Sequence, residues 1–293
     1  SLNVDAAGFV LGNRLNPSYN TFTNCYFDSS DQGARVNRMV ECDFTACWFS
    51  GGRTVGGFPG LTIQESHNIR FNGGKAVSCG SHGVFLRNSS RFVNFSGFSA
   101  SNNSVTSGSN TADGINVEAG TGDFTIIGGA CVNNLPGAQQ RYGINIAAGI
   151  SDRYVVSGVT MTGNLTAAQM LDGGTGTNKA ISGNIGYSIP IIAPSFTNSW
   201  VNFDAGGGAG NSQAGYWKDH DGIVRLQGLI KSGTVTASAF TLPVGYRPTS
   251  QHIFAVSSNS LHGEVYVKPD GTVIPQIGSN VNFSLAGITF RAA

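Results

Sequence analysis

The chain has 293 residues, of which 40% are hydrophobic, 11% are charged and 42 are Gly, so it carries enough apolar material for a large core and is neither disordered nor collagenous. Its formal charge of +1 comes from 17 basic and 16 acidic residues spread without blocks, which gives no electrostatic footprint for nucleic acid or an anionic membrane. No apolar run approaches the roughly 20 residues needed to cross a bilayer, so neither a nucleic-acid partner nor membrane insertion is expected.

The opening residues, Ser1 to Asp5, lack the basic and apolar regions of a secretory signal, and the chain is expected to begin within a longer protein. The five cysteines are odd in number and show no Cys-x-x-Cys spacing, which points away from a disulfide framework or a zinc site. Folding in a reducing compartment fits that pattern.

From Gly12 onward the chain repeats itself. One ladder is a Gly followed by a short alternating strand: Gly12-Asn13-Arg14-Leu15, Gly33-Ala34-Arg35-Val36, Gly60-Leu61-Thr62-Ile63, Gly83-Val84-Phe85-Leu86, Gly114-Ile115-Asn116-Val117 and Gly143-Ile144-Asn145-Ile146. A second ladder follows within each copy, beginning at Asn24, Ala46, Gly73, Gly97, Gly128 and Gly158. Two residues before each of these stands an apolar residue: Phe22, Phe44, Phe71, Phe95, Ile126 and Val156. A period of 21 to 31 residues is that of one supersecondary unit per repeat, and no single unit of that size buries its own apolar face. Stacked about 4.8 Å apart, such units turn each alternation into a continuous interior column. The fold class this predicts is all-β: a right-handed parallel β-helix (solenoid) over residues 1–187.

Several conspicuous residues then have structural explanations. Cys25 and Cys47 fall at equivalent interior positions, and Cys131 reads the same way, as small buried hydrophobes. Asn102-Asn103 and Asn133-Asn134 fall at turns, where Asn tolerates left-handed backbone and bonds to its copy in the next coil. The copy Ile181 to Ile185 closes the helix, and residues 188–199, with Pro190 and Pro194, read as an extended linker. Over 200–293 the alternation lengthens in Ile223 to Ile230, Val265 to Val267 and Phe283 to Phe290, with turns at Asp221-Gly222 and Asp270-Gly271. A small antiparallel β-sandwich domain is predicted there.

With the coils aligned, residues 1 to about 187 resemble the pectate-lyase-like parallel β-helices of bacteriophage tailspikes. Residues 200–293 are similar to the C-terminal β domain of phage tail-fibre and tailspike proteins, through Tyr216-Trp217-Lys218-Asp219, Val224-Arg225-Leu226-Gln227-Gly228, Thr241-Leu242-Pro243-Val244-Gly245-Tyr246-Arg247-Pro248 and Ile288-Thr289-Phe290-Arg291. The resemblance implies a homotrimer in the virion tail, assembled in the bacterial cytoplasm and acting outside it. The C-terminal domain would serve trimerisation or receptor binding. It further implies binding, and often cleavage, of a bacterial surface polysaccharide such as capsule, O-antigen or exopolysaccharide, without a cofactor. Since the residues given start directly on the helix pattern, the resemblance implies that the chain is the distal part of a longer spike, with the head-binding domain expected elsewhere in that spike.

The face led by the Gly ladder is the candidate glycan groove. Its outward columns are Arg14, Arg35, Thr62, Phe85, Asn116, Asn145 and Asn16, Asn37, Gln64, Arg87, Glu118, Ala147, with Gln32, Pro59, His82, Asp113 and Tyr142 just before the glycines. Around coils four to six they bring together His82, Phe85, Arg87, Asn116, Tyr142 and Asn145 as substrate-binding groups, since sugars are held by aromatic faces and charged or amide hydrogen bonds. Asp113 and Glu118 are the candidate catalytic pair for glycoside hydrolysis, which needs one protonated and one ionised carboxyl; a lyase stays open. Glu118 and Arg87, one coil apart, equally suit a surface ion pair. On other strands Glu41, Asp43 and Arg70 form a rival set, and Trp48 with Tyr26 suits sugar stacking or a subunit contact. Asp219 to Gly222 reads as a hairpin turn, and no metal is expected. A non-enzymatic adhesin and a structural shaft remain the alternatives to a depolymerase.

Overall fold

A computed structural model describes residues 3–5, 18–30, 33–51, 57–106, 111–136, 139–204, 210–219 and 221–293. The chain divides into two compact units, Ser1–Ser188 and Ile189–Ala293. The described residues form strands and turns only, and no helix long and apolar enough to cross a membrane occurs among them.

The first unit is a parallel β-helix of three sheets. The first sheet stacks Asn3–Asp5, Ala34–Asn37, Leu61–Gln64, Val84–Arg87, Ile115–Val117, Ile144–Gly149 and Met170–Gly174. The second stacks Thr21–Thr23, Val40–Thr45, His67–Asn72, Arg91–Ser96, Phe124–Ile127, Tyr154–Ser157 and Lys179–Ser182. The third stacks Tyr26–Ser30, Trp48–Gly51, Lys75–Val77 and Ser99–Ser101. The pairing is the one the ladders predict: Arg35, Thr62, Phe85, Asn116 and Asn145 are successive partners, as are Phe44, Phe71, Phe95 and Ile126. The first copy differs. Asn3–Asp5, which also alternates, pairs with Ala34–Asn37, while Gly12 to Asn16 and Gln32 lie outside the described residues.

The interior is built by repetition. Phe22, Phe44, Phe71 and Phe95 form a stack with ring centroids 4.8 to 4.9 Å apart, the spacing of the strands themselves. Phe27 lies on Phe49 at 5.0 Å in the next column. Each such ring buries on the order of 150–250 Å², and each pair adds about 0.5–1.5 kcal/mol beyond burial. The second ladder marks the bend between the second and third sheets. Asn24, Ala46, Gly73, Gly97, Gly128 and Gly158 all hold left-handed φ of 52 to 67°, and each donates its N–H to the coil above, as Ala46 does to the Asn72 carbonyl at 2.9 Å. The Gly of the first ladder has a different cause, a close approach. A Cβ on Gly114 would come 2.5 Å from the Gly143 carbonyl and 2.6 Å from that of Ala100.

One buried polar ladder runs beside these glycines. Asn103 Nδ2 donates to Gln140 Oε1 at 2.9 Å, Gln140 Nε2 to Asn164 Oδ1 at 2.7 Å, and Asn164 Nδ2 to Gln169 Oε1 at 3.0 Å. Amides can continue such a chain because each is donor and acceptor at once. At the neighbouring turn Asn102 Oδ1 accepts the Asn134 N–H at 2.7 Å, one coil on. All five cysteines are free; Cys25 is partly buried and the other four are buried. Burial pushes the Cys131 thiol up to about 12, which keeps it inert.

The second unit holds two three-stranded antiparallel sheets and one four-stranded antiparallel sheet, with Trp200, Phe240, Phe283 and Val265 in their shared core. Two expected long strands are broken. Ile223 to Ile230 is interrupted at Gly228, so that Ile223–Gln227 joins one sheet and Leu229–Lys231 another. Gly228 has φ of 94°, and a Cβ there would strike Ala214 at 2.5 Å, so the chain switches sheets where only Gly fits. Phe283 to Phe290 likewise divides into Phe283–Ser284 and Thr289–Arg291. The stretch read as a linker bonds to this unit: Ile192 pairs with Tyr216, and the Thr197 N–H reaches the Ala239 carbonyl at 2.8 Å.

Phe95→Ala, which empties a place in the ring stack, is expected to lower stability by about 3–5 kcal/mol, whereas Ser96→Ala on the exposed side of the same strand should change it by less than about 0.5 kcal/mol. Denaturant midpoints of the two variants check the assignment of inward and outward faces.

Candidate functional site

The strands of the first sheet carry the candidate face. Alternation in Val84–Arg87 buries Val84 and Leu86 and leaves Phe85 and Arg87 half-exposed. The Arg87 guanidinium lies 4.9 Å above the Phe85 ring and the His82 ring 5.5 Å from it. In register above Phe85 stand Asn116, partly exposed, and then Asn145, which the structure buries although the alternation placed it on the outer face.

Asp113 departs from the expectation that residues before each Gly line the groove: its side chain has no exposed surface. Its carboxylate is the centre of a network spanning three coils. Arg141 donates to it twice, from Nε and Nη2, both at 2.8 Å, in the two-pronged geometry that suits a guanidinium and a carboxylate. Asn116 Nδ2 donates at 2.7 Å, Asn145 Nδ2 at 3.0 Å and the Tyr142 N–H at 3.3 Å. Burial alone would raise the Asp113 pKa, but the bonds from Arg141, Asn145 and Asn116 outweigh it and hold the carboxyl below the usual range. Asp113 is therefore a fixed anion that aims two amides of the outer column.

His82 is tied to the same node. Its Nδ1 accepts the Asp113 N–H at 2.9 Å, which assigns the ring proton of the neutral form to Nε2. Burial lowers its pKa, against the pull of the Asp113 carboxylate, and the ring is neutral near pH 7. Tyr142 lies beneath the Arg141 guanidinium at 5.1 Å.

Glu118 occupies the corner where the first sheet turns into the second. Its Oε2 accepts the Asn88 N–H at 2.8 Å and its Oε1 lies 3.5 Å from Arg87 Nη2; the side chain is 35% exposed. It is the accessible carboxylate of the expected pair. Arg141 was not legible as a partner of Asp113, although an arginine two residues before a ladder Gly, one coil from an aspartate, is the signal that carries it.

Trp48 is not brought to this face. It belongs to the third sheet, under Tyr26 at 5.6 Å and with Lys75 Nζ 3.7 Å over its ring, so the open aromatic of that pair is Tyr26, 72% exposed. On the second sheet Arg70 pairs with Asp43 through both guanidinium arms, which lowers the Asp43 pKa. Glu41 stands in a left-handed bulge there rather than in strict alternation. Among the described residues no group of three or more His, Cys, Asp or Glu side chains is arranged to hold a metal.

No family model matches the chain, and no curated protein matches it. Among solved structures it is similar to the full-length tailspike protein 2 from Escherichia coli O157:H7 bacteriophage CAB120, with 14% identity over 94% of this chain and 40% of that one, at a TM-score of 0.42. It is similar to the Dettilon tailspike protein, with 10% identity over 92% of this chain and 66% of that one, at a TM-score of 0.44. The receptor binding protein of Listeria phage PSA matches 36% of this chain and 66% of its own length, with 16% identity and a TM-score of 0.31. This chain spans less than two thirds of each of these structures.

Asp113→Asn leaves the partly exposed Arg141 without its counter-charge and is expected to lower stability by about 1–3 kcal/mol at pH 7. The folded pKa of Asp113 is depressed, so its contribution is fully present above the unfolded value near pH 4 and is lost as pH falls through the folded value. Chemical denaturation between about pH 5 and pH 2 should therefore show a shallower fall in stability for the variant than for the wild type.

Proposed function

We propose that this chain is a tailspike-type protein of a bacteriophage tail that binds a bacterial surface polysaccharide along the outer face of the first sheet. One observation carries the reading: an in-register strip in which the half-exposed Phe85 ring, flanked by His82 and Arg87, is continued by Asn116 and Asn145 held in place by a buried anion. A ring face with fixed amide and guanidinium donors beside it suits a sugar, whose C–H face is apolar and whose edge is hydroxyl. Fixing the donors beforehand lowers the ordering cost of binding. The resemblance of both parts of the sequence to phage spikes supports the same reading, in which the chain assembles as a homotrimer held by the C-terminal unit.

Depolymerisation of the bound glycan is a second reading, favoured by the accessible carboxylate of Glu118 at the edge of the strip. In it a protonated Glu118 gives its proton to the glycosidic oxygen as the bond to the anomeric carbon breaks, water adds to that carbon, and the proton the water loses returns to Glu118. Asp113, which has no surface to offer, positions Asn116 and Asn145 instead.

The test is retention of purified O-antigen and capsular polysaccharides from a panel of bacterial strains, with release of oligosaccharide followed in parallel. Phe85→Ala is expected to weaken binding at least about tenfold, equivalent to about 1.4 kcal/mol. Glu118→Gln should leave binding within about twofold and, where wild type releases oligosaccharide, slow release by about 100-fold or more. Binding without any release would select the adhesin reading, and loss of neither property in Phe85→Ala would place the site elsewhere. In light scattering, removal of residues 200–293 should lower the oligomeric state.

A further inference from the structure

In the second sheet one position turns left-handed in six successive coils. Register places Tyr19, Glu41, Asn68, Phe92, Asp123 and Arg153 at that position, Tyr19 just after the bridged pair Ser18–Val40 and the others one residue before the paired Cys42, Ile69, Val93, Phe124 and Tyr154. Their φ values are 59, 54, 57, 56, 54 and 53°. Four of the six are polar or charged, and Tyr19 and Phe92 are exposed aromatics. Asn and Asp are the non-Gly residues most at ease in this conformation, whereas a bulky aromatic there is an outlier.

Phe92 also leaves 51% of its surface in solvent, and among the described residues no ring or cation packs on it. The site is thus unfavourable for this side chain twice over, in backbone and in exposure, with no ring or cation stacked on it among the described residues. Strain of this kind in an exposed residue is a mark of function. The surroundings say which. Arg91, just before it, reaches Asp123 at 3.7 Å, and Arg153 reaches the same carboxylate at 2.5 Å, so the next two coils of the column carry an acid and a guanidinium, with the half-exposed Arg91 of the Phe92 coil on the same acid. A lone ring within a fixed polar rim lacks the contiguous apolar area of a protein interface.

The ring also shares its coil with Phe85. The corner Asn88–Ser90 separates the two strands, and that corner holds Glu118 through the Asn88 N–H. We propose that Phe92 is a second stacking platform for a pyranose ring of the same surface polysaccharide, with Arg91 and Arg153 bonding the hydroxyls at its edge. The glycan then runs from Phe85 across the corner past Glu118 to Phe92. This inference rests on the glycan-binding reading above.

The test uses the full chain with the same polysaccharide panel, and Phe92→Asn, Phe92→Trp and Phe85→Ala side by side. Asn relieves the backbone and matches Asn68, so Phe92→Asn is expected to raise the melting temperature by about 2 °C while weakening retention at least about fivefold, and Phe92→Trp should retain binding. A lower melting temperature in Phe92→Asn, or a changed mass in light scattering, would make Phe92 a structural or interface residue and overturn the proposal. Unchanged retention in Phe92→Asn with loss in Phe85→Ala would overturn it alone and leave the first site standing. If wild type retains none of the panel, or neither variant loses retention, the glycan reading falls and this inference with it.

Discussion

Parallel strands hold successive coils about 4.8 Å apart, so every side chain of the helix leans on its counterpart in the coils above and below. Two like charges at that spacing repel, while two rings or two amides at that spacing attract. Several of the described ion pairs of the first unit follow this constraint. Arg38 meets Glu65, Arg70 meets Asp43, Arg87 meets Glu118, Arg141 meets Asp113 and Arg153 meets Asp123, each across one coil boundary. Most of these pairs are exposed and contribute little to stability; what they contribute is register. The Arg141–Asp113 pair is the exception, because it is buried and its acid organises the amides of the candidate face.

The same constraint governs the end of the interior. Along one inward column the residues run Cys42, Ile69, Val93, Phe124, Tyr154 and Lys179. The column becomes polar as it approaches the last coil, where no further ring can cover it. There the Tyr154 hydroxyl donates to Asp172, whose other oxygen lies 2.7 Å from Lys179 Nζ, and Lys179 also bonds the Gly174 carbonyl at 2.6 Å. Burial first, and the Asp172 carboxylate next, push the Tyr154 phenol far up and keep it a neutral donor. A capped end of this sort is what a solenoid requires to present a polar terminus.

Function on such a scaffold lies in the departures from repetition. The interior columns repeat because they must, whereas the outer face is free to vary from coil to coil. Thr62, Phe85 and Asn116 are three different answers at one outward position. Phe92 is one of two aromatics, with Tyr19, in a left-handed column of otherwise polar residues, and Asp113 is a buried acid where neighbouring coils carry His82 and Tyr142. A site assembled from single residues of successive coils has its donor spacing set by the strand separation, which suits an extended polymer lying along the stack.

The amino-acid sequence by itself determined the coil, its interior columns and the partners on the first sheet, because a period-2 alternation repeated every 21 to 31 residues fixes which side chains share a face. Phe85, Asn116 and Asn145 were legible for that reason. Tertiary structure decided what the turns do, since their shapes are not periodic. It buried Asp113 under Arg141 and put Asn3–Asp5 in the place read for Gly12 to Leu15. It also broke Ile223 to Ile230 at Gly228 and set Phe92 in a left-handed bulge. In each case the deciding quantity is the path of the chain between strands, which depends on what the neighbouring coil or sheet leaves room for rather than on local pattern.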